Sequence, residues 1–340
     1  MTVPFVVPET GVPSGGTLYD LRLSRASSVL ETVAVPGSWP SPGPEGAGAL
    51  AAVLDGLPDG ARVVVDGLVA CGVPEIVVPR AERLRPVVLV HLPLADETGL
   101  SPEAARDLDL REREVLRSGA TVVATGRYAA RRLREHHGLS RVEVVPPGVA
   151  PAPLARGGGF AEGRAVEGTV PRLLCVASLT PRKGHSVLFE ALRGLSDLDW
   201  ECVCAGPGSP LPNAGERVRF VGPLAGASLD AAYDGADLVV LPSLMETYGM
   251  VVTEALARGL PVVASGVGGV PEALGRSRDG SVPGLTVPPG DPVALESALR
   301  SWLTDPELRR ELRASARSRR STLTDWAHAA RELEGVLGRL

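Results

Sequence analysis

Short apolar runs alternate with helix-forming stretches, stop once, and then resume, which predicts an α/β protein of two doubly wound domains, each a parallel sheet covered by helices. Length agrees: at about 150 residues per domain, 340 residues suit two cores better than one. That length also excludes a disulfide mini-scaffold, and 44% hydrophobic with 22% charged residues argue against wholesale disorder.

In the first half the strands are expected at 3–7, 29–35, 62–65, 87–91, 121–124 and 141–145, because these runs are rich in valine and bounded by polar or turn residues. Helices fit 17–23, 48–57, 101–118 and 127–137. Between Pro146 and Pro171 glycine, proline and small residues replace the rhythm, so 151–171 reads as an interdomain linker after a first domain at 1–150. A second domain, 172–321, resumes with strands at 172–177, 200–205, 217–221, 238–241, 261–264 and 285–287, and helices at 184–195, 229–233, 249–258 and 293–303. The tail from 306 to 340 is helical in composition, and 322–340 is expected to be a helix packed on a domain. Asp325 is its N-cap, and Trp326, Ala329, Ala330, Leu333, Val336 and Leu337 recur at near-helical spacing.

A net charge of -5 argues against gripping a nucleic acid, which needs a basic excess or stripe. Met1 to Pro8 lacks a basic leader region and reads as a first strand. No apolar run reaches the roughly 18 residues of a spanning helix, so the expected compartment is the cytoplasm. Cys71, Cys175, Cys202 and Cys204 have poor metal-ligand spacing and read as reduced core thiols. Among the 35 Lys and Arg residues, Lys183 is the single lysine.

Open parallel sheets bind ligands beyond the carboxyl ends of their strands, so two such domains are expected to face a central cleft. The run Leu238–Ser265 holds Glu246 in a strand-to-helix loop and Glu254 on the next helix, an E-x7-E spacing. Gly249 permits close backbone approach, and a helix starting there would aim the N–H groups of Met250 and Val251 at a phosphate or sugar hydroxyl. Glu254, in the second turn, is then close enough to accept from a ribose diol. The plainer alternative makes Glu246 an electrostatic cap and Glu254 a solvated surface residue. Arg182 and Lys183 precede a helix start and suit a diphosphate, as a planar fork and a point charge, although a solvated basic turn has the same composition. GxxxxGK[ST] is absent, so this is no P-loop. Gly15 and Gly16 in GVPSGGT form a side-chain-free turn after the first strand, through which amides can approach a phosphate. His91 ends the fourth apolar run at a strand tip, and Asp96 and Glu97 offer acceptor contacts or a solvated loop. GVGGVPEAL, 266–274, lacks the third glycine of a dinucleotide fingerprint and reads as a backbone loop near a donor.

Taken together, PS-x-x-E-T-Y-G-M, EALARGLPVVAS and the lysine before glycine resemble the retaining glycosyltransferases of family 4, of GT-B architecture with two Rossmann-like domains. The resemblance runs over nearly the whole chain, with its specific motifs between Cys175 and Glu272. It implies that Lys183 and the N–H groups of Met250 and Val251 contact the diphosphate of a nucleotide sugar, Glu254 the ribose and Glu246 the transferred sugar. Tyr248 and Gly249 join the donor set, Gly15 and Gly16 form a comparable glycine loop, and His91 contacts the donor sugar. Where the family usually reads G-R-L, this chain has Ala177-Ser178-Leu179, so Ser178 replaces the usual diphosphate arginine and Arg182 is the candidate compensator.

The resulting expectation is retaining transfer of a sugar from a nucleoside diphosphate sugar, a UDP-sugar first, to a small soluble acceptor, with no cofactor and no obligatory metal. Sugar-nucleotide epimerisation and non-catalytic nucleotide-sugar binding are the alternatives, the latter motivated by Ser178; a nicotinamide dehydrogenase is more distant. Arg127, Arg131, Arg132 and Arg134 are the sole candidate membrane-facing cluster, and an ordinary solvated helix face accounts for them.

Overall fold

The computed structural model describes residues 2–9, 14–161, 164–165 and 168–340. Met1, position 10, positions 11–13 of the expected glycine turn, and positions 162–163 and 166–167 of the expected linker lie outside them. Two compact units emerge, one of Met1–Gly148 with Thr324–Leu340, the other Val149–Leu323.

The first unit runs β1 (Val3–Pro8), α1 (Gly15–Ala26), β2 (Leu30–Val35), α2 (Gly43–Asp55), β3 (Arg62–Asp66), α3 (Gly67–Ala70), α4 (Pro74–Ala81), β4 (Arg85–Val90), α5 (Pro102–Leu116), β5 (Thr121–Ala124), α6 (Arg127–His137) and β6 (Glu143–Val144). All its strands are parallel, in the order β2-β1-β3-β4-β5-β6. Valines on the central strands, such as Val63, Val65, Val88 and Val90, are buried, as expected of a sheet covered on both faces.

In the second unit come β7 (Phe160–Ala161), β8 (Arg164–Ala165), β9 (Arg172–Val176), α7 (His185–Arg193), β10 (Glu201–Ala205), β11 (Val218–Gly222), α8 (Ala227–Asp234), β12 (Leu238–Leu241), α9 (Met250–Ala257), β13 (Val262–Ser265), α10 (Val270–Leu274), β14 (Gly284–Val287), α11 (Pro292–Thr304) and α12 (Pro306–Arg319). Its parallel sheet has the order β11-β10-β9-β12-β13-β14. Leu173, Cys175, Cys202 and Cys204 pack with Leu188 and Trp302, while Leu174, Val239 and Leu241 pack with Val252 and Leu256, so the two sheet faces carry separate cores. All four cysteines are free and buried.

The described residues of 151–171, read as a linker, fall in the second unit. The reason is long-range: Phe160 meets the Trp302 ring edge-on at 5.3 Å, and the Asp237 carboxylate accepts the amides of Gly158, Gly159 and Arg172. The last helix, α13 (Trp326–Gly338), starts where Asp325 accepts the His328 amide at 2.8 Å. It returns to the first unit, where Trp326 lies edge-on to Tyr19 at 5.4 Å and Glu334 accepts from the Ser27 hydroxyl. Among the described residues no helix is long and apolar enough to cross a membrane.

In both sheets the chain reverses its direction of travel next to the first strand, between β1 and β3 and between β9 and β12. Ligands of open α/β sheets bind beyond the strand ends at such points. The loops after those strands are therefore where a site is to be sought.

Candidate functional site

In the second unit the chain leaves β9 and makes a short 3-10 turn, Pro181–Lys183, before α7. Gly184 follows with φ 68°, and a Cβ there would stand 2.0 Å from the carbonyl oxygen of Pro242, so only glycine lets this turn rest on the loop after β12. The contact sets Lys183 Nζ 2.5 Å from Glu246 Oε1, and the Ser243 hydroxyl donates to the same oxygen at 2.8 Å. Glu246 is only 6% exposed. Its main chain is fixed as well: the Gly269 amide donates to its carbonyl at 3.0 Å, and a Cβ on Gly268 would fall 1.7 Å from that oxygen. Loops after β9, β12 and β13 thus converge on Glu246, the first two at its carboxylate and the third at its main chain.

Arg182 lies against the same loop, its carbonyl accepting the Leu244 amide and its Nη1 approaching the Met245 carbonyl at 3.5 Å. Gly249, at φ 89°, is the N-cap of α9 and provides no side-chain cap, leaving the first-turn amides of Met250 and Val251 at the end of the helix. Glu254, one turn on, accepts from the Tyr233 hydroxyl at 3.0 Å, and the buried Tyr233 ring lies under Arg258. Burial, and then the Glu272 carboxylate, push the Tyr248 phenol up to about 12. Ser178 is half-buried beside Gly206 and Gly208, which close over Ala177 and Leu179. The 266–269 loop packs on the Glu246–Tyr248 backbone.

The first unit gathers a second cluster. His91, just past β4, places Nε2 2.7 Å from Asp20 and 3.3 Å from Asp66, both carboxylates only 3% exposed. Asp66 ends β3 and also caps α3 through the Leu68 amide. Burial disfavours a charged His91, but Asp20, and then Asp66, outweigh it and raise the ring to about 10. Gly16 covers the ring, since a Cβ there would stand 3.0 Å from His91 Cδ2.

One expectation changes here. Gly15 and Gly16 are not a turn but the first residues of α1, because Ser14 and Thr17 cap the helix reciprocally and draw its start forward. Arg132 grips both oxygens of Asp96, at 2.7 and 3.1 Å. Glu97 is exposed and accepts the Thr98 amide. Of the basic cluster on α6, Arg132 is committed to Asp96 and Arg131 lies over the Tyr128 ring.

Sequence reasoning did not single out Ser243, Asp20 or Asp66. Asp66 left a signal, a charge closing the valine run of β3, and AGPG after β10 left another for Gly206 and Gly208. Among the described residues, two groups offer three ligand atoms within 4.8 Å of one another: Asp20, Asp66 and His91, and Asp109, His136 and His137.

Residues 170–305 match the family described as glycosyl transferases group 1, a span holding every candidate of the second unit from Ser178 to Glu254. D-inositol 3-phosphate glycosyltransferase of Corynebacterium glutamicum (strain R) is 33% identical over 178 residues, 47% of this chain and 41% of that protein. The protein of the same name from Kineococcus radiotolerans is 32% identical over 261 residues, 68% of this chain and 60% of its own length. The chain spans about half the length of the curated relatives it matches. Among solved structures, sucrose-phosphate synthase from Thermosynechococcus elongatus aligns with a TM-score of 0.79 at 20% identity, over 99% of this chain and 98% of that one. Anabaena Alr3699/HepE in complex with UDP and glucose aligns with a TM-score of 0.76 at 15% identity, over the whole of both chains. These likenesses agree with the resemblance to family 4: the fold is GT-B, and residues 170–305 are similar to the family described as glycosyl transferases group 1.

Proposed function

We propose that this chain is a retaining glycosyltransferase that moves a sugar from a nucleoside diphosphate sugar, a UDP-sugar first, to a hydroxyl of a small soluble acceptor. The observation that carries the reading is the Lys183–Glu246 pair at the reversal point of the second sheet, beside the start of α9. A leaving diphosphate gathers negative charge as the glycosidic bond breaks. Lys183, Arg182 and the first amides of α9 supply positive charge and oriented dipoles for it, and no step needs a metal. Glu254 takes the ribose hydroxyls, and Tyr248 borders the donor.

Glu246 is read as orienting the sugar, not attacking it. Its Oε1 already accepts from Lys183 and Ser243, which lowers its nucleophilicity, so a glycosyl-enzyme route of the glycosidase kind is disfavoured. Retention then follows from attack on the face the diphosphate leaves, with a leaving oxygen taking the acceptor proton. His91 contributes a charged N–H donor to substrate. UDP as donor draws support from the structural neighbour bound to UDP and glucose, and a small polyhydroxylated acceptor from the relatives named for inositol 3-phosphate.

The test is transfer and donor hydrolysis across UDP-, GDP- and ADP-sugars, repeated with Lys183→Ala and Glu246→Ala. Loss of turnover in both variants is expected, and undiminished turnover in both removes the assigned roles. Because Ser178 stands where the family has arginine, non-catalytic binding is the second reading, and donor binding with neither transfer nor hydrolysis in the unaltered protein would establish it.

A further inference from the structure

We infer that the edge formed by α5 and α6 holds a divalent transition ion, zinc by its donor set, on His137, His136 and Asp109. His137 is buried, and its Nε2 lies 2.8 Å from Oε2 of Glu112, itself 1% exposed; the other oxygen of Glu112 accepts the Leu94 amide. With Nε2–H given to that carboxylate, Nδ1 keeps a bare lone pair, and this buried atom meets no hydrogen-bond partner. Buried acceptors are rarely left unfilled, and a histidine whose far nitrogen is anchored by a carboxylate is the usual arrangement of a metal-binding imidazole.

The neighbouring groups are those an ion needs. The His136 ring stands edge-on to His137 at 4.6 Å, and its Nε2 bonds Oδ1 of Asp109. One nitrogen of each ring and one oxygen of Asp109 lie within 4.8 Å of one another. Tetrahedral zinc with bonds of about 2.0–2.1 Å needs ligand atoms roughly 3.3 Å apart, a closure that exposed His136 and half-buried Asp109 can make by rotating. Arg113 adds an opposing charge, but it pairs with Oδ2 of Asp109 and leaves Oδ1 for the ion. Both histidines end α6, just before left-handed Gly138, where the negative pole of the helix favours a cation. Two imidazoles and a carboxylate suit zinc over magnesium or calcium. Bound there, the ion ties α5 to α6.

The experiment is titration of chelator-treated, desalted protein with zinc chloride by calorimetry, with cobalt absorption as a second readout. One equivalent is expected, with affinity lowered at least about tenfold in His136→Gln and in Asp109→Asn, and unchanged in His328→Gln on the last helix. His137→Gln removes a buried side chain and can unfold the unit, so the two more exposed positions decide. No binding at about 0.1 mM zinc, or full affinity retained in His136→Gln and Asp109→Asn, overturns the assignment.

Discussion

Replacing Lys183 with Met separates what the Lys183–Glu246 pair does for the fold from what it does for a donor. The substitution keeps most of the stem but strips the ammonium 2.5 Å from a carboxylate that is only 6% exposed, leaving it the Ser243 hydroxyl alone. Removing one partner of a fully buried pair costs about 3–5 kcal/mol. Lys183 is 17% exposed and partly hydrated, so about 2 kcal/mol is the fitting figure here. For a unit of this size that is a fall of about 4–8 °C in Tm. The double variant Lys183→Met/Glu246→Gln removes the stranded charge and should regain most of that loss. Donor binding should behave otherwise: an ammonium–diphosphate hydrogen bond is worth about 1.5–3 kcal/mol, so UDP affinity should fall between about tenfold and 150-fold in both the single and the double variant. Thermal unfolding and calorimetric titration with UDP read the two effects independently. If UDP affinity returns together with stability in the double variant, Lys183 serves the donor only by holding Glu246, and its assignment to the diphosphate is wrong.

Gly268→Ala should destabilise by about 2–4 kcal/mol in urea unfolding, from a left-handed φ of 59° and a Cβ driven into the Glu246 carbonyl, whereas Gly280→Ala, equally left-handed but in open space, should cost about 1 kcal/mol; equal losses would mean the Glu246 contact is slack. His91 titrates near 10 when folded against about 6.5 unfolded, so its contribution to stability is complete below pH 6.5 and fades as pH rises through 10. Asp20→Asn should lower the ring's pKa, shown by proton NMR, and flatten that decline; an unaltered titration would show that Asp20 does not hold the charge.

The strands were legible because buried parallel strands read as unbroken apolar runs: 238–241 was placed to the residue, and 121–124 likewise. The helices that escaped, Gly67–Ala70, Pro74–Ala81 and Val270–Leu274, are too short to display a 3.6-residue period, and Pro79 interrupts one of them. At 151–171 glycine and proline announce a break in periodicity but say nothing of tertiary partners such as Trp302 for Phe160 or Asp237 for the glycine amides. The candidate site divides along the same line. Lys183 and Glu246 each stood out by their own neighbourhood, a lone lysine before glycine and a glutamate before a strand-to-helix glycine, yet nothing in either segment states that they touch across 63 positions. Asp20 was hidden for the opposite reason: a carboxylate on a helix is normally solvated, and only the folded chain reveals that this one faces inward to His91. A sequence therefore exposes groups whose backbone setting is unusual, and conceals those whose setting is ordinary but whose partner is not. His137 belongs with Asp20 in that second class, because a histidine near a helix end is commonplace until its far nitrogen is found anchored on a buried carboxylate.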